Sequence, residues 1–93
     1  MRWKLFATLS EAAGSREVDV SVAEEQSTLQ TAFAALLEQH PELEGHVVDE
    51  DGTLYDHIRL LCDGADPFHG GDGWETDLDE IDELALFPPV SGG

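Results

Sequence analysis

Residues 82–93 read Asp82-Glu83-Leu84-Ala85-Leu86-Phe87-Pro88-Pro89-Val90-Ser91-Gly92-Gly93, and this stretch decides how the rest of the chain is read. Leu84 and Leu86 alternate with Ala85 and Phe87, the period of a strand that buries one face. Two prolines then fix φ at about −65° and withhold two backbone donors, so the sheet stops and the chain continues extended. The glycines that follow lack a Cβ and can pass through a channel too narrow for other residues. Six residues from 88 to 93, at ~3.3 Å each, reach roughly 20 Å, enough to enter a neighbour's active site while the globule stays outside. The terminal carboxylate, on Gly93, is the expected reactive group.

Upstream, Trp3, Leu5, Ala7 and Leu9 alternate with Arg2, Lys4, Phe6 and Thr8, which predicts a strand over residues 2–9. Ser10 to Gly14 reads as a short helical turn closed by glycine. Val18, Val20 and Val22 predict a second strand over 16–22, paired with the first as a hairpin. Ser27 or Thr28 caps a helix to about His40, with Leu29, Phe33, Leu36 and Leu37 as its buried stripe. Pro41 ends that helix and opens a further turn through Leu43. Ile58, Leu60 and Cys62 predict a third strand, stopping at Asp63-Gly64.

A Gly- and Asp-rich loop follows over 64–73, then a short strand at Trp74 to Thr76, an acidic turn anchored by Leu78 and Ile81, and the final strand to Phe87. The order β-β-α-β-β-β with one principal helix predicts a two-layer α+β fold, a ubiquitin-like β-grasp, with first and last strands adjacent and parallel. Residues 1–87 form the domain and 88–93 a flexible diglycine tail. In that arrangement Phe6 and Phe87 should meet on the sheet face away from the helix.

The chain has 93 residues, one domain's worth, and 41% hydrophobic content is enough for a core. No apolar run approaches the ~18 residues of a membrane span. Arg2 and Lys4 precede a segment interrupted by Thr8, Ser10 and Glu11, which reads as mature cytoplasmic sequence and not as a leader.

Twenty-one acidic residues face four basic ones, a net charge of −17. Repulsion of that size opposes folding at low ionic strength, and at 1 M salt the Debye length of about 3 Å removes most of it. The expected setting is a high-salt cytosol. Nucleic acid is excluded as a partner because phosphate binding needs clustered Lys and Arg. Cys62 is the single cysteine, so no internal disulfide can form. With Asp63 beside it, its thiolate is disfavoured, and a buried small hydrophobe is expected.

Leu5-Phe6-Ala7, Ala12-Ala13-Gly14 and the dodecapeptide 82–93 resemble the MoaD/ThiS group of ubiquitin-like sulfur carriers. The acidic composition and Leu54-Tyr55-Asp56-His57-Ile58 are more similar to the small archaeal ubiquitin-like modifier proteins. The resemblance implies a carrier whose Gly93 is adenylylated by an E1-like enzyme with ATP. Gly93 then forms an isopeptide bond to lysines of target proteins, or becomes a thiocarboxylate in a small subunit of molybdopterin synthase. Pro88, Pro89, Val90, Ser91 and Gly92 would be the tail that the activating enzyme recognises.

Phe6 and Phe87 match hydrophobic residues that such carriers present to the activating enzyme and to the synthase large subunit. Leu61, on the parity of Arg59, is an expected addition to that patch. Lys4 is the one lysine on which another copy could be joined, though a strand charge facing water is the plainer reading. A monomer is expected when free.

The sequence contains no phosphate-cradling loop, so the nucleotide is expected on the partner and no cofactor on this chain. The chain is read as a substrate and not an enzyme. His40, His46, His57 and His69 lack the spacing of a helical zinc site, and no metal is expected. The acidic run from Asp77 lacks the turn glycine of a calcium loop. Trp3 and Trp74 read as packing residues.

Overall fold

The computed structural model describes residues 1–22, 27–79 and 81–88. Four strands, β1 (Arg2–Leu5), β2 (Glu17–Asp19), β3 (Arg59–Cys62) and β4 (Glu83–Phe87), form one sheet in the order β2-β1-β4-β3. β1 and β4 are parallel, with Trp3 opposite Leu84 and Leu5 opposite Leu86. The two outer pairings, β1 with β2 and β3 with β4, are antiparallel. The helices are α1 (Thr8–Ala13), α2 (Leu29–Gln39) and the short α3 (Glu44–Val47). This mixed sheet covered by one long helix is the expected β-grasp.

Alternation sets which face is buried. Trp3, Leu5, Val18, Leu60, Cys62, Leu84 and Leu86 point into the core, with Trp3, Leu84 and Leu86 wholly inaccessible. α2 closes that face with Leu29, Ala32, Phe33 and Leu36, and Leu37 is half-buried at the margin. Each fully buried aliphatic side chain contributes roughly 1.5–3 kcal/mol relative to exposure. Trp3 meets Phe33 across the layers at a centroid distance of 6.1 Å.

Thr28 is the residue that starts α2. Its Oγ1 accepts from Thr31 N at 3.3 Å, and Thr31 Oγ1 accepts from Thr28 N at 3.0 Å, so two otherwise orphaned donors are satisfied reciprocally. Pro41 opens a 3-10 turn, Pro41–Leu43, which extends past Leu43 into α3.

The predicted boundaries move at three places. The first strand stops at Leu5 and not at Leu9. Ala7 takes φ 50 and ψ −124, and Leu9 N donates to Phe6 O at 3.1 Å, which turns the chain straight into α1. Leu9 is buried as expected, but from a helix. The second strand spans only Glu17–Asp19, although Val20 is buried and Val22 packs against the core beyond it.

The strand expected at Trp74 to Thr76 is a 3-10 turn, Gly73–Glu75. Thr76 Oγ1 and Thr76 N both donate to Gly73 O, at 2.6 and 3.1 Å, and this local closure competes with any ladder. Trp74 instead lays its ring between Phe33 at 5.1 Å and Phe68 at 5.2 Å.

β3 ends as predicted. Asp63 (φ 48) and Gly64 (φ 85) form the tight turn, and Cys62 and Ala65 exchange backbone bonds of 2.8 and 2.9 Å across it. The Asp63 carboxylate reaches 19 and 20 residues onward to accept from Asp82 N and Glu83 N, which sets where β4 begins.

Ala7 occupies a backbone region that glycine favours, at a cost of about 1–3 kcal/mol for a residue with a Cβ. Glycine there adds about 0.5–1 kcal/mol of unfolded-state entropy to be lost. Relief of strain is the larger quantity, so Ala7→Gly should raise stability by roughly 1 kcal/mol. Denaturant unfolding at fixed high salt measures it, and a lower midpoint for Ala7→Gly would contradict the strain.

Candidate functional site

Parallel pairing of β1 with β4 brings the C-terminal ends of both strands to one edge of the sheet. Phe6 follows Leu5 directly and Phe87 follows Leu86, and those two leucines are register partners. The phenyl rings stack on the outer face at a centroid distance of 4.3 Å and an interplanar angle of 13°. Phe6 keeps 39% of its surface exposed, whereas Phe87 and Pro88 are half-buried. The expected meeting of the two aromatics is therefore present. An exposed apolar pair at one sheet edge gives a partner an area to cover.

Leu61 is on the same face. It is half-buried and opposite Ala85, two positions along the ladder from the Arg59–Phe87 pair. Lys4 also faces outward, opposite Ala85, with its Nζ 3.4 Å from Glu83 Oε1. Both groups are partly exposed, so the pair is worth no more than about 1 kcal/mol. The α-amine of Met1 is tied into β2, donating to Val20 O at 2.8 Å and lying 3.4 Å from Asp19 Oδ1. Beside Phe6, an open hollow is lined by Lys4, Phe6, Ser10, Glu11, Arg16 and Glu17.

The tail residues Pro89, Val90, Ser91, Gly92 and Gly93 lie outside the described residues. What the structure supplies is their point of departure, Pro88, immediately after the stacked Phe87. Gly93, the residue expected to carry the reactive carboxylate, is five positions further along the sequence.

One residue that the sequence left without a role belongs to this edge. Arg59 is the register partner of Phe87 and is exposed. Arg16, also exposed, accepts at its carbonyl from Leu5 N at 2.8 Å, which continues the β1–β2 register and puts it opposite Leu5, on the parity away from the aromatics. Strand parity in 58–62 places Arg59 outward, but nothing local in the sequence ties it to the aromatics.

The remaining chemistry is quiet. Among the described residues no three His, Cys, Asp or Glu side chains converge as a metal site, and no helix is long and apolar enough to cross a membrane. Cys62 is buried on the core face. Burial, then the charges of Asp63 and Asp66, push its thiol from an ordinary 9.0 up to about 11.

The chain belongs to the ThiS family, whose model matches residues 3–93. It is 50% identical to small archaeal modifier protein 1 of Haloferax volcanii over 93 residues, which is all of both chains. Small archaeal modifier protein 3 of the same organism is 32% identical over 90 residues, 97% of this chain and 95% of that one. The crystal structure of SAMP1 from Haloferax volcanii superposes with a TM-score of 0.86 at 48% identity, covering 100% of this chain and 98% of that one. Fold and family thus agree with the resemblance carried by the first strand and the C-terminal dodecapeptide.

A thiol held at about 11 should react slowly with iodoacetamide near neutral pH while the protein is folded, and at the rate of a free thiol once unfolded. The raised value also means that the folded state has its full share of stability from this group below pH 9.0 and loses it as pH climbs toward about 11. Equal alkylation rates for folded and unfolded protein would rule out the burial of Cys62.

Proposed function

We propose that this chain is a ubiquitin-like protein modifier, activated at Gly93 and joined through it to lysines of target proteins. The observation that carries the reading is half-identity, over the full length, to a small archaeal modifier protein. It is supported by a Phe87–Pro88 exit beside an exposed aromatic pair on a β-grasp sheet.

A free carboxylate is a poor electrophile. An E1-like enzyme supplies ATP, the Gly93 carboxylate attacks the α-phosphate, and pyrophosphate leaves. A target amine then attacks the acyl carbon, forms the isopeptide bond and releases AMP. This chain supplies no catalytic group and binds no nucleotide in that sequence, so it is substrate and carrier. Phe6 and Phe87, with Leu61 at the margin, are the surface offered to the activating enzyme, and residues 88–92 are the tail it threads. The acidic surface and the Haloferax relative support a salt-rich cytosol as the setting and a monomer as the free state.

A second reading is favoured by the ThiS family match, which includes the tail. In that reading a sulfide-level nucleophile attacks the acyl carbon of the adenylate, AMP leaves, and Gly93 ends as a thiocarboxylate. The carrier then delivers sulfur as the small partner of a molybdopterin synthase. The first step is common to both, so the two readings part only at the attacking group.

Intact mass measurement after incubation with the activating enzyme, ATP and a sulfur donor separates them. Gly-Gly remnants on target lysines are the expected outcome of conjugation, and replacement of one terminal oxygen by sulfur is the outcome of transfer. Deleting Gly92 and Gly93 should abolish both products while leaving the unfolding transition unchanged. Adducts that persist after that deletion would overturn the assignment of Gly93.

A further inference from the structure

Phe6 and Phe68 are the large apolar side chains that stay exposed among the described residues, and of these only Phe6 is stacked on Phe87. Phe68 keeps 42% of its surface exposed, and the loop that carries it is built to hold it there. Asp66 Oδ1 accepts from Phe68 N at 2.9 Å, and Gly73 N donates to Pro67 O at 2.8 Å, which closes the loop. That closure requires Gly71, because a Cβ there would stand 2.7 Å from Pro67 O. From Phe68 an aromatic series runs inward through Trp74 and Phe33 to Trp3, at centroid distances of 5.2, 5.1 and 6.1 Å. An aromatic ring fixed at the surface in this way is apolar area that folding leaves uncovered.

Phe68 also borders a hollow of about 580 Å³ at the outer edge of β3, one strand beyond β4 and its Phe87. That volume is in the range of pockets that take a side chain or a small ligand. Its apolar walls are Leu54, Tyr55, Ile58, Leu60, Phe68 and Trp74. Its charged groups are the carboxylates of Asp56 and Asp66 and the guanidinium of Arg59, with His69 beside them. Arg59 has the outward parity of β3, toward Phe87. Among the described residues, neither Asp56 nor Asp66 has a cationic side chain within 4.0 Å.

We propose that this hollow is a second docking surface, one that receives an arginine side chain from an extended segment of a partner protein. Aromatic walls and carboxylates in one hollow favour a cation. A guanidinium can lie flat on a ring face and pair with a carboxylate through parallel N–H bonds, while its methylene stem covers the apolar walls. Lysine offers a point charge and no plane to stack. A wholly apolar side chain would cover the rings and leave the two carboxylates less hydrated and without a partner. In molar salt the Debye length is about 3 Å, so the net charge of −17 attracts little from a distance and the choice is made by contact. The hollow includes the core-facing Leu60, whereas Phe6 and Phe87 are on the outward face, so the two surfaces are separate. A copy joined through Gly93 to a target therefore keeps this hollow for a protein that reads the modification. Only that last step rests on the proposed function.

The test is titration of the isotopically labelled full-length protein in molar KCl with a blocked tripeptide, arginine between two leucines, followed by amide shifts and the Trp74 indole. Saturable shifts confined to residues 53–60 and 66–75 are expected. The same peptide with citrulline, the neutral isostere of arginine, should bind at least about fivefold more weakly. Phe68→Ala and Asp56→Asn should each weaken the arginine peptide about threefold or more. Asp19→Asn, which removes a carboxylate at the opposite edge of the sheet, should leave its affinity unchanged. Equal affinity for the two peptides would mean that the hollow takes an apolar segment, and the arginine assignment would be wrong. Shifts that are absent or fall elsewhere, or affinities indifferent to Phe68→Ala and Asp56→Asn, would remove the site altogether. No activating enzyme enters the measurement, so each of these failures leaves the activation reading where it stands.

Discussion

Parallel pairing of the first strand with the last is the constraint on which the rest of this molecule depends. β1 and β4 occupy the two central positions of the sheet, and everything between residues 6 and 82 serves as their connection. Because the strands run the same way, both of their C-terminal ends reach one edge. Phe6, Phe87 and the departure of the tail at Pro88 are neighbours for that reason alone. An antiparallel arrangement would place Phe6 beside the start of β4 and separate the aromatic surface from the tail. The pairing is held from both sides. Trp3, Leu5, Leu84 and Leu86 lock the buried face against α2, and the Asp63 carboxylate fixes the first residues of β4 through two backbone donors.

The same architecture resolves an electrostatic difficulty. A chain of net charge −17 has little attraction for any partner that shares its acidic character. The strands gather three of the four basic residues, Arg2, Lys4 and Arg59, onto one face, whereas Arg16, opposite Leu5, has the other parity. Charge that looks evenly sparse along the sequence becomes local in the fold. The resulting edge combines the apolar area of Phe6 and Phe87, the Arg59 guanidinium and the point where the chain leaves the sheet at Pro88. Core chemistry is kept apart from it, since Cys62 points into the opposite layer and is held protonated.

Much of this was legible in the residues. Alternation at Leu84 and Leu86 and at Trp3 and Leu5 marked the central strands, and Thr28 and Pro41 bounded α2. The misreadings share one cause, which is local closure competing with extended backbone. Ala7 bends the chain out of its strand through a conformation that its identity does not advertise, since glycine is the usual occupant. At 73–76, bonds from Thr76 to Gly73 O close a 3-10 turn where aromatic and β-branched residues suggested a strand. Trp74 was correctly expected to pack, but as the middle of a Phe68–Trp74–Phe33 series and not from a sheet.

What the sequence determined by itself was periodic or terminal: strand and helix faces, the proline stop, the diglycine end, the net charge and the family. Those features depend on spacing along the chain or on its composition, and neither needs a third dimension. The stacking of Phe6 on Phe87 and the place of Arg59 beside them were decided only by the tertiary structure. Arg59 is 28 residues from Phe87 along the chain and Phe6 is 81, and no local rule of spacing reports a contact made by strand register.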